Sequence, residues 1–241
     1  MSFIKNIFSS KGKKSDNTES DYSKNYIDLL SRSIGTIRLR QLKFADIIGN
    51  QDWNVDFAIG KIMFGDNVFP IDFIGSESNV SNTWMWGSNN VNGFSDELVR
   101  GVTAFVKKTE IQNTKEINNS SFKIDGIVSG HYLATIYAYY NKGCYYRCVH
   151  EKGAAFVLMK NVPEEVFVSA DAEVVMSTIT QLISDLPLNQ LLLVRGLFDN
   201  NCIRYDNMDG RLLRGYFRDG KQIEVSFDEL NRIENMKFSN Y

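Results

Sequence analysis

The stretch "WNVDFAIGKIMFGDNVFPIDFIGSESNVSNTWMW", residues 53–86, decides the fold. In its first part Trp53, Val55, Phe57 and Ile59 alternate with Asn54, Asp56 and Ala58, which is the period of a half-buried strand because successive side chains point to opposite faces. Gly60 and the run Gly65 to Asn67 are turn punctuation, so residues 53–59, 61–65 and 68–74 are predicted to form an antiparallel meander. Phe69, Ile71 and Phe73 share one face of its third strand. The polar residues that follow, opening with Gly75-Ser76-Glu77-Ser78, read as a seven-residue turn into a fourth strand over 82–86, with Trp84 and Trp86 on one face.

Outward from this meander the period changes. Ile27, Leu30, Ile34 and Ile37 recur every three or four residues, the spacing of a helix buried on one side, although Gly35 lowers helix propensity there by about 1 kcal/mol. Ser95 is placed to cap a helix whose first turn holds Asp96 and Glu97, and Leu98, Val102, Phe105 and Val106 form its apolar stripe. A further helix is predicted over 129–141, ended near Gly143, then a hairpin over "CYYRCVHEKGAAFVLMK" whose arms are apolar on both faces, as in central strands. Helices follow at about 170–186, stopped by Pro187, and about 189–199.

The closing "RLLRGYFRDGKQIEVSF" is a hairpin whose loop length follows from the pattern. A two-residue Asp219-Gly220 turn would pair Leu213 with Ser226 and mix the faces. A three-residue loop, Arg218 to Gly220 with Gly220 left-handed, gathers Leu213, Phe217, Ile223, Val225 and Phe227 on one face and leaves Arg214, Tyr216, Arg218, Gln222 and Glu224 outside. The expected fold is α+β: antiparallel sheet built from a meander and two hairpins, with amphipathic helices packed on it.

Composition narrows the class. The 241 residues, 43% hydrophobic and 12% aromatic, are enough for a substantial core. Residues 1–23 read as a basic and polar tail and linker, and 24–241 as a single α+β domain. Lysine plus arginine (27) nearly balances aspartate plus glutamate (29), so no nucleic-acid partner is expected. Three cysteines and no signal-peptide pattern point to the cytoplasm, and no apolar run approaches the roughly 20 residues of a membrane span. Phe3, Ile4, Ile7 and Phe8 stand at helical spacing among lysines, so residues 1–14 are either an amphipathic foot for an anionic membrane surface or a solvated tail.

The segment from Trp53 to Asn89 resembles a bacterial family catalogued only as a domain of unknown function, with its Trp-x-x-Asp strand, Gly-Ser-Glu-Ser turn and Thr-Trp-x-Trp strand. "AYYNKGCYYRCVHEKGAAFVLMKN" and "IEVSFDELNRI" resemble later parts of the same family more loosely. The resemblance implies bacterial origin and one domain, and it supplies no catalytic residue.

The chemistry-bearing residues form no familiar motif. On an extended strand Cys144 and Cys148 stand roughly 13 Å apart, at ~3.3 Å per residue, too far for two sulfurs at about 2.3 Å from one ion, so no metal and no cofactor is expected. His131 lies near a helix start and His150 at a hairpin tip, neither beside a nucleophile elbow, and Gly75-Ser76-Glu77-Ser78 lacks the second glycine of Gly-x-Ser-x-Gly. The residues left as a candidate binding site are Asp56, Glu77, Trp84, Trp86 and Asn89, converging at one end of the meander as a polar-aromatic surface. The plainer alternative puts both indoles in the core, each N–H on a backbone carbonyl. Two functions follow as expectations: a non-enzymatic protein-binding or toxin-neutralising chain, or a small-molecule enzyme or ligand-binding protein using Asp56, Glu77 and His131 in a pocket.

Overall fold

The computed structural model describes residues 24–108 and 113–241. The tail and linker read over 1–23, with the amphipathic reading of 1–14, lie outside the described residues.

The first element is a long helix, α1 (Lys24–Ile48), which carries the predicted apolar stripe and runs eleven residues beyond Ile37. Next comes the meander: β1 (Trp53–Asp56), β2 (Lys61–Phe64), β3 (Asn67–Ser78) and β4 (Thr83–Trp86). After β4 follow α2 (Asp96–Phe105), the single turn α3 (Lys115–Asn118), β5 (Ser121–Lys123) and α4 (Gly130–Tyr140). The hairpin β6 (Cys144–His150) and β7 (Gly153–Met159) then returns to the sheet. Helices α5 (Ala172–Asp185) and α6 (Gln190–Asn201) lead to four strands, β8 (Arg204–Met208), β9 (Leu212–Tyr216), β10 (Lys221–Phe227) and β11 (Ile233–Asn240). The architecture is α+β with antiparallel pairing throughout, but in two sheets: seven strands, β1 to β7, and four strands in the order β11-β10-β9-β8.

Strand β3 is the spine of the larger sheet. It pairs β2 through Asn67–Pro70, β4 through Gly75–Ser78 and β7 through Ile71–Ser78. The Gly75-Ser76-Glu77-Ser78 stretch is therefore strand and not the start of a turn. Its backbone is held by neighbours on both edges, and the turn is only Asn79 to Asn82, where Asn82 takes a left-handed φ of 50°. Between Phe73 and Gly75 the register against β7 slips by one residue and leaves Ile74 as a bulge.

The apolar arms of the second hairpin have two explanations, not one. β7 is central, between β3 and β6, but β6 is an edge strand. Its burial comes from α1 and α4, and Gln41 of α1 donates its side-chain amide to the Tyr145 carbonyl at 2.9 Å and accepts from the Tyr145 N–H at 3.1 Å. At Tyr145 one side chain thus does the hydrogen-bonding of a neighbouring strand.

Helix α1 also crosses α6 at very close range. A Cβ added at Gly35 would lie 2.7 Å from Leu197 Cγ, and one at Gly196 would lie 2.0 Å from the Arg32 carbonyl oxygen. Gly35, a defect by helix propensity, is a contact residue, and the buried Thr36 hydroxyl donates to the Gly196 carbonyl across the same crossing at 2.9 Å.

The closing hairpin has the three-residue loop and register expected, with Leu213 opposite Val225 and Gly220 at φ 75°. Leu213, Phe217, Ile223, Val225 and Phe227 are all buried. What the pattern missed are the flanking strands β8 and β11, which are mostly exposed and polar and so carry no alternation to read.

Gly196→Ala is expected to destabilise the fold by about 3 kcal/mol, because its Cβ meets helix backbone that cannot rotate away. A urea unfolding midpoint within error of wild type would contradict that close crossing.

Candidate functional site

The Ile74 bulge decides where the two buried carboxylates go. Asp72 and Glu77 are five positions apart, which in a regular strand would put them on opposite faces, but one inserted residue returns them to the same one. That face is covered by α2 and α4, and its floor is aromatic. Trp84 and Trp86 are buried at 0% and 1% exposure, meet edge to face at 5.2 Å and continue into Phe156 and Phe105.

Glu77 sits at one end of this face. Its Oε1 accepts from Arg147 Nε at 2.7 Å and Arg147 Nη2 at 2.5 Å, while its Oε2 lies where a Cβ on Gly130, the first residue of α4, would approach to 2.5 Å. Gly130 is thus small so that a helix N-terminus, where N–H groups are unpaired within the helix, can come down on a carboxylate. Next to this pair His131 Nδ1 stands 3.3 Å from the Tyr145 hydroxyl, with its ring edge-to-face on Phe156. Burial, helped by the charge of Arg147, pulls His131 down from 6.5 to about 4.

Asp72 sits at the other end. Lys160 Nζ lies 2.5 Å from its Oδ1, and the Tyr137 hydroxyl of α4 donates to its Oδ2 at 3.4 Å. Burial and the adjacent carboxylate push the Tyr137 phenol upward, so it stays protonated and donating. Gly101 of α2 repeats the device of Gly130, since a Cβ there would meet Asp72 Oδ2 at 2.5 Å. Each carboxylate therefore has one cation and one helix glycine against it.

Of the residues singled out in the sequence, the structure brings Glu77, Trp84 and Trp86 together, and Glu77 with His131. Trp84 is the cross-strand partner of Glu77. The indole of Trp86 donates to the Glu116 carbonyl at 2.9 Å, but the Trp84 N–H, equally buried, has no partner among the described residues. Asp56 and Asn89 are not part of this cluster. Asp56 accepts from the backbone N–H of Ala58 at 2.8 Å and so shapes the β1–β2 loop, and Asn89 is exposed in the short 3₁₀ turn Gly87–Asn89.

The residues missed were Arg147, Asp72, Lys160, Tyr137 and Tyr145. Two had a signal. An arginine alone in "CYYRCVH" and an aspartate between Ile71 and Phe73 are charges in apolar strands, which demands a buried counter-charge. Nothing local names that partner.

The chemistry available is limited by these pairings. A general base works best near the ambient pH, and His131 is too weak a base at about 4. Cys144, Cys148 and Cys202 form no disulfide, and burial raises each thiol to about 12, away from the thiolate that nucleophilic work requires. No three His, Cys, Asp or Glu side chains converge as metal ligands among the described residues.

A second polar surface lies on the smaller sheet, whose inner face packs on α5 and α6, with Phe198 against Gly215 and Phe217. Its outer face carries two ordered rows. One is Asp206, Arg214, Glu224, Lys237, consecutive across all four strands, with Arg214 held on Glu224 at 2.5 Å. The other centres on Tyr216, which has the Arg204 guanidinium 4.4 Å over its ring, the edge of Tyr241 at 5.1 Å and its hydroxyl on Asp206 at 3.0 Å.

Residues 27–162, a little over half the chain, match a protein family described as a family of unknown function (DUF6882). The chain belongs to that family. The match takes in α1, the whole seven-stranded sheet and both carboxylate clusters, and stops before α5, α6 and the four-stranded sheet. No curated protein and no solved structure matches the chain. No helix among the described residues is long and apolar enough to cross a membrane.

Arg147→Met is expected to cost about 3 kcal/mol at neutral pH, since it strands the Glu77 carboxylate, and adding Glu77→Gln should recover part of that loss. Simple additivity in denaturant unfolding would contradict the pairing. His131 adds a pH dependence of determined sign. Its folded pKa of about 4 lies below the unfolded 6.5, so stability is fully present above 6.5 and is lost as pH falls toward 4, by about 3 kcal/mol at most. His131→Phe should flatten that window.

Proposed function

We propose that this chain is a binding protein whose partner is another protein, engaged through the outer face of the four-stranded sheet. The observation that carries the reading is the cluster at Tyr216: a rigid aromatic clamped by Arg204 and Tyr241 on an exposed sheet face, beside Arg214. Tyrosine and arginine held in place are what interface hot spots are made of, because their contact area costs little ordering on binding. The inner carboxylates support the same reading, since Arg147 and Lys160 are already committed to Glu77 and Asp72.

The reading includes a bacterial cytoplasmic setting, with which three unpaired cysteines are consistent. A partner neutralised by the contact, as a toxin is by its inhibitor, is the form of it that fits a non-enzymatic chain. A second reading is favoured by one observation, the convergence of Glu77, Arg147 and His131 at the start of α4, which a small polar ligand could exploit.

The two are separated by capture and by titration. Full-length protein used as bait in a lysate of its host should recover a stoichiometric partner, and Arg204→Ala with Tyr216→Ala should weaken that capture at least about thirtyfold. Capture unchanged by the double substitution would refute the face. A metabolite that shifts the amide signals of His131 and Arg147, with no captured protein, would favour the second reading.

A further inference from the structure

We infer that the outer edge of β11 receives an extended segment of the partner as a fifth strand, and that this segment alternates apolar with polar residues and carries a carboxylate opposite Lys237. The inference rests on the protein-binding reading and goes further by naming what the partner presents.

The edge is open. β11 is eight residues long and pairs only with β10. Beyond Asn240 the Tyr241 N–H donates to the Gly220 carbonyl at 3.2 Å, which continues the ladder toward β10. Hydrogen-bonding direction alternates along a strand, so Asn235, Lys237 and Ser239 face β10, as Tyr241 does, while the backbone of Glu234, Met236, Phe238 and Asn240 faces away. Those outward groups have no protein partner among the described residues, the condition that strand addition satisfies. By contrast, on the edge of β6 in the larger sheet both backbone groups of Tyr145 are taken by Gln41.

Both faces of the sheet say what the added strand should carry. On the inner face the apolar rows run from Val225 to Met236 and from Ile223 to Phe238, where they stop at the rim with Phe238 still 37% exposed. Another strand laid alongside would continue those rows with its own apolar side chains. On the outer face the row Asp206, Arg214, Glu224, Lys237 alternates in sign from strand to strand. Opposite charges directly across a strand pair stabilise it and like charges destabilise it, so the next position in the row calls for an acid.

A second copy of β11 does not meet these terms. A two-fold centred on Lys237 sets one ammonium group opposite the other, and one centred on Met236 sets Asn235 there, so neither supplies a carboxylate. Edge lysines discourage such self-pairing.

The test uses the full chain and a synthetic peptide, Thr-Val-Thr-Val-Glu-Val-Thr-Val-Thr, followed by backbone amide shifts. Shifts should concentrate at Glu234, Met236, Phe238 and Asn240, and replacing the peptide glutamate by lysine should weaken binding about tenfold at low salt. Lys237→Glu, in protein shown by urea unfolding to stay folded despite the like charge it sets opposite Glu224, should invert that order. Equal binding of the two peptides, or an order unchanged by Lys237→Glu, overturns the inference. Neither peptide binding while a captured partner is indifferent to Lys237→Glu overturns it too and leaves the protein-binding reading intact. An inverted peptide order with no captured partner removes that reading and supports the edge.

Discussion

One inserted residue organises the larger sheet. β3 is flanked by β2, β4 and β7, so its register is fixed from both edges, and the bulge at Ile74 is the only place in it where the facing of side chains changes. Before the bulge Phe69, Ile71 and Phe73 face the side on which α1 brings Phe44. Counted across it, Asp72 and Glu77 share the other side, under α2 and α4. Had β3 run regularly, one carboxylate would have turned into the opposite apolar layer, at a cost of several kcal/mol for an unpaired buried charge.

The helices are then positioned by glycines and charges more than by apolar stripes alone. Gly101 and Gly130 let α2 and α4 descend onto Asp72 and Glu77, and Gly35 and Gly196 let α1 and α6 cross backbone to backbone. Lys160 and Arg147 reach the same two carboxylates from the β6–β7 hairpin, so strand, hairpin and helix meet at each one. Such partly buried ion pairs add little net stability over apolar packing but are costly to break from one side, and α4 meets the two carboxylates through the Tyr137 hydroxyl and the close approach of Gly130. α1 in turn serves the sheet as a mock strand at Tyr145 through Gln41, serves α6 as a packing face at Gly35 and Thr36, and keeps burying apolar residues to its end with Leu39, Phe44 and Ile48.

The four-stranded sheet solves a different problem. Outside the part of the chain that matches the family, it packs one face on α5 and α6 and leaves the other to solvent with its charges ordered in rows. Among the described residues its end strands β8 and β11 each pair on one side only, whereas in the larger sheet Gln41 takes the outward backbone of Tyr145 on β6. Structural demand accounts for the inner face, and the ordered aromatics and free strand edge of the outer side are what a partner could use.

Elements with a strong local period were legible from the sequence: the meander, the Ser95-capped α2, α4, α5, α6, and the closing hairpin down to its three-residue loop. Their signals lie within a few residues, in alternation, caps and the φ that Gly220 alone can take without strain. The burial of Trp84 and Trp86 was legible as one of two readings, and the partner of only Trp86 followed the expected form. What tertiary structure alone decided was register and pairing. Whether Gly75 to Ser78 is turn or strand depends on β7, about eighty residues later, which supplies the second edge. The face that Glu77 takes depends on a bulge with no composition of its own, and the strand status of β8 and β11 depends on β9 and β10 beside them. Backbone pairing between distant segments carries no side-chain pattern, so the sequence set the segments with a strong local period, and only their assembly chose which others became strands and which charges would meet.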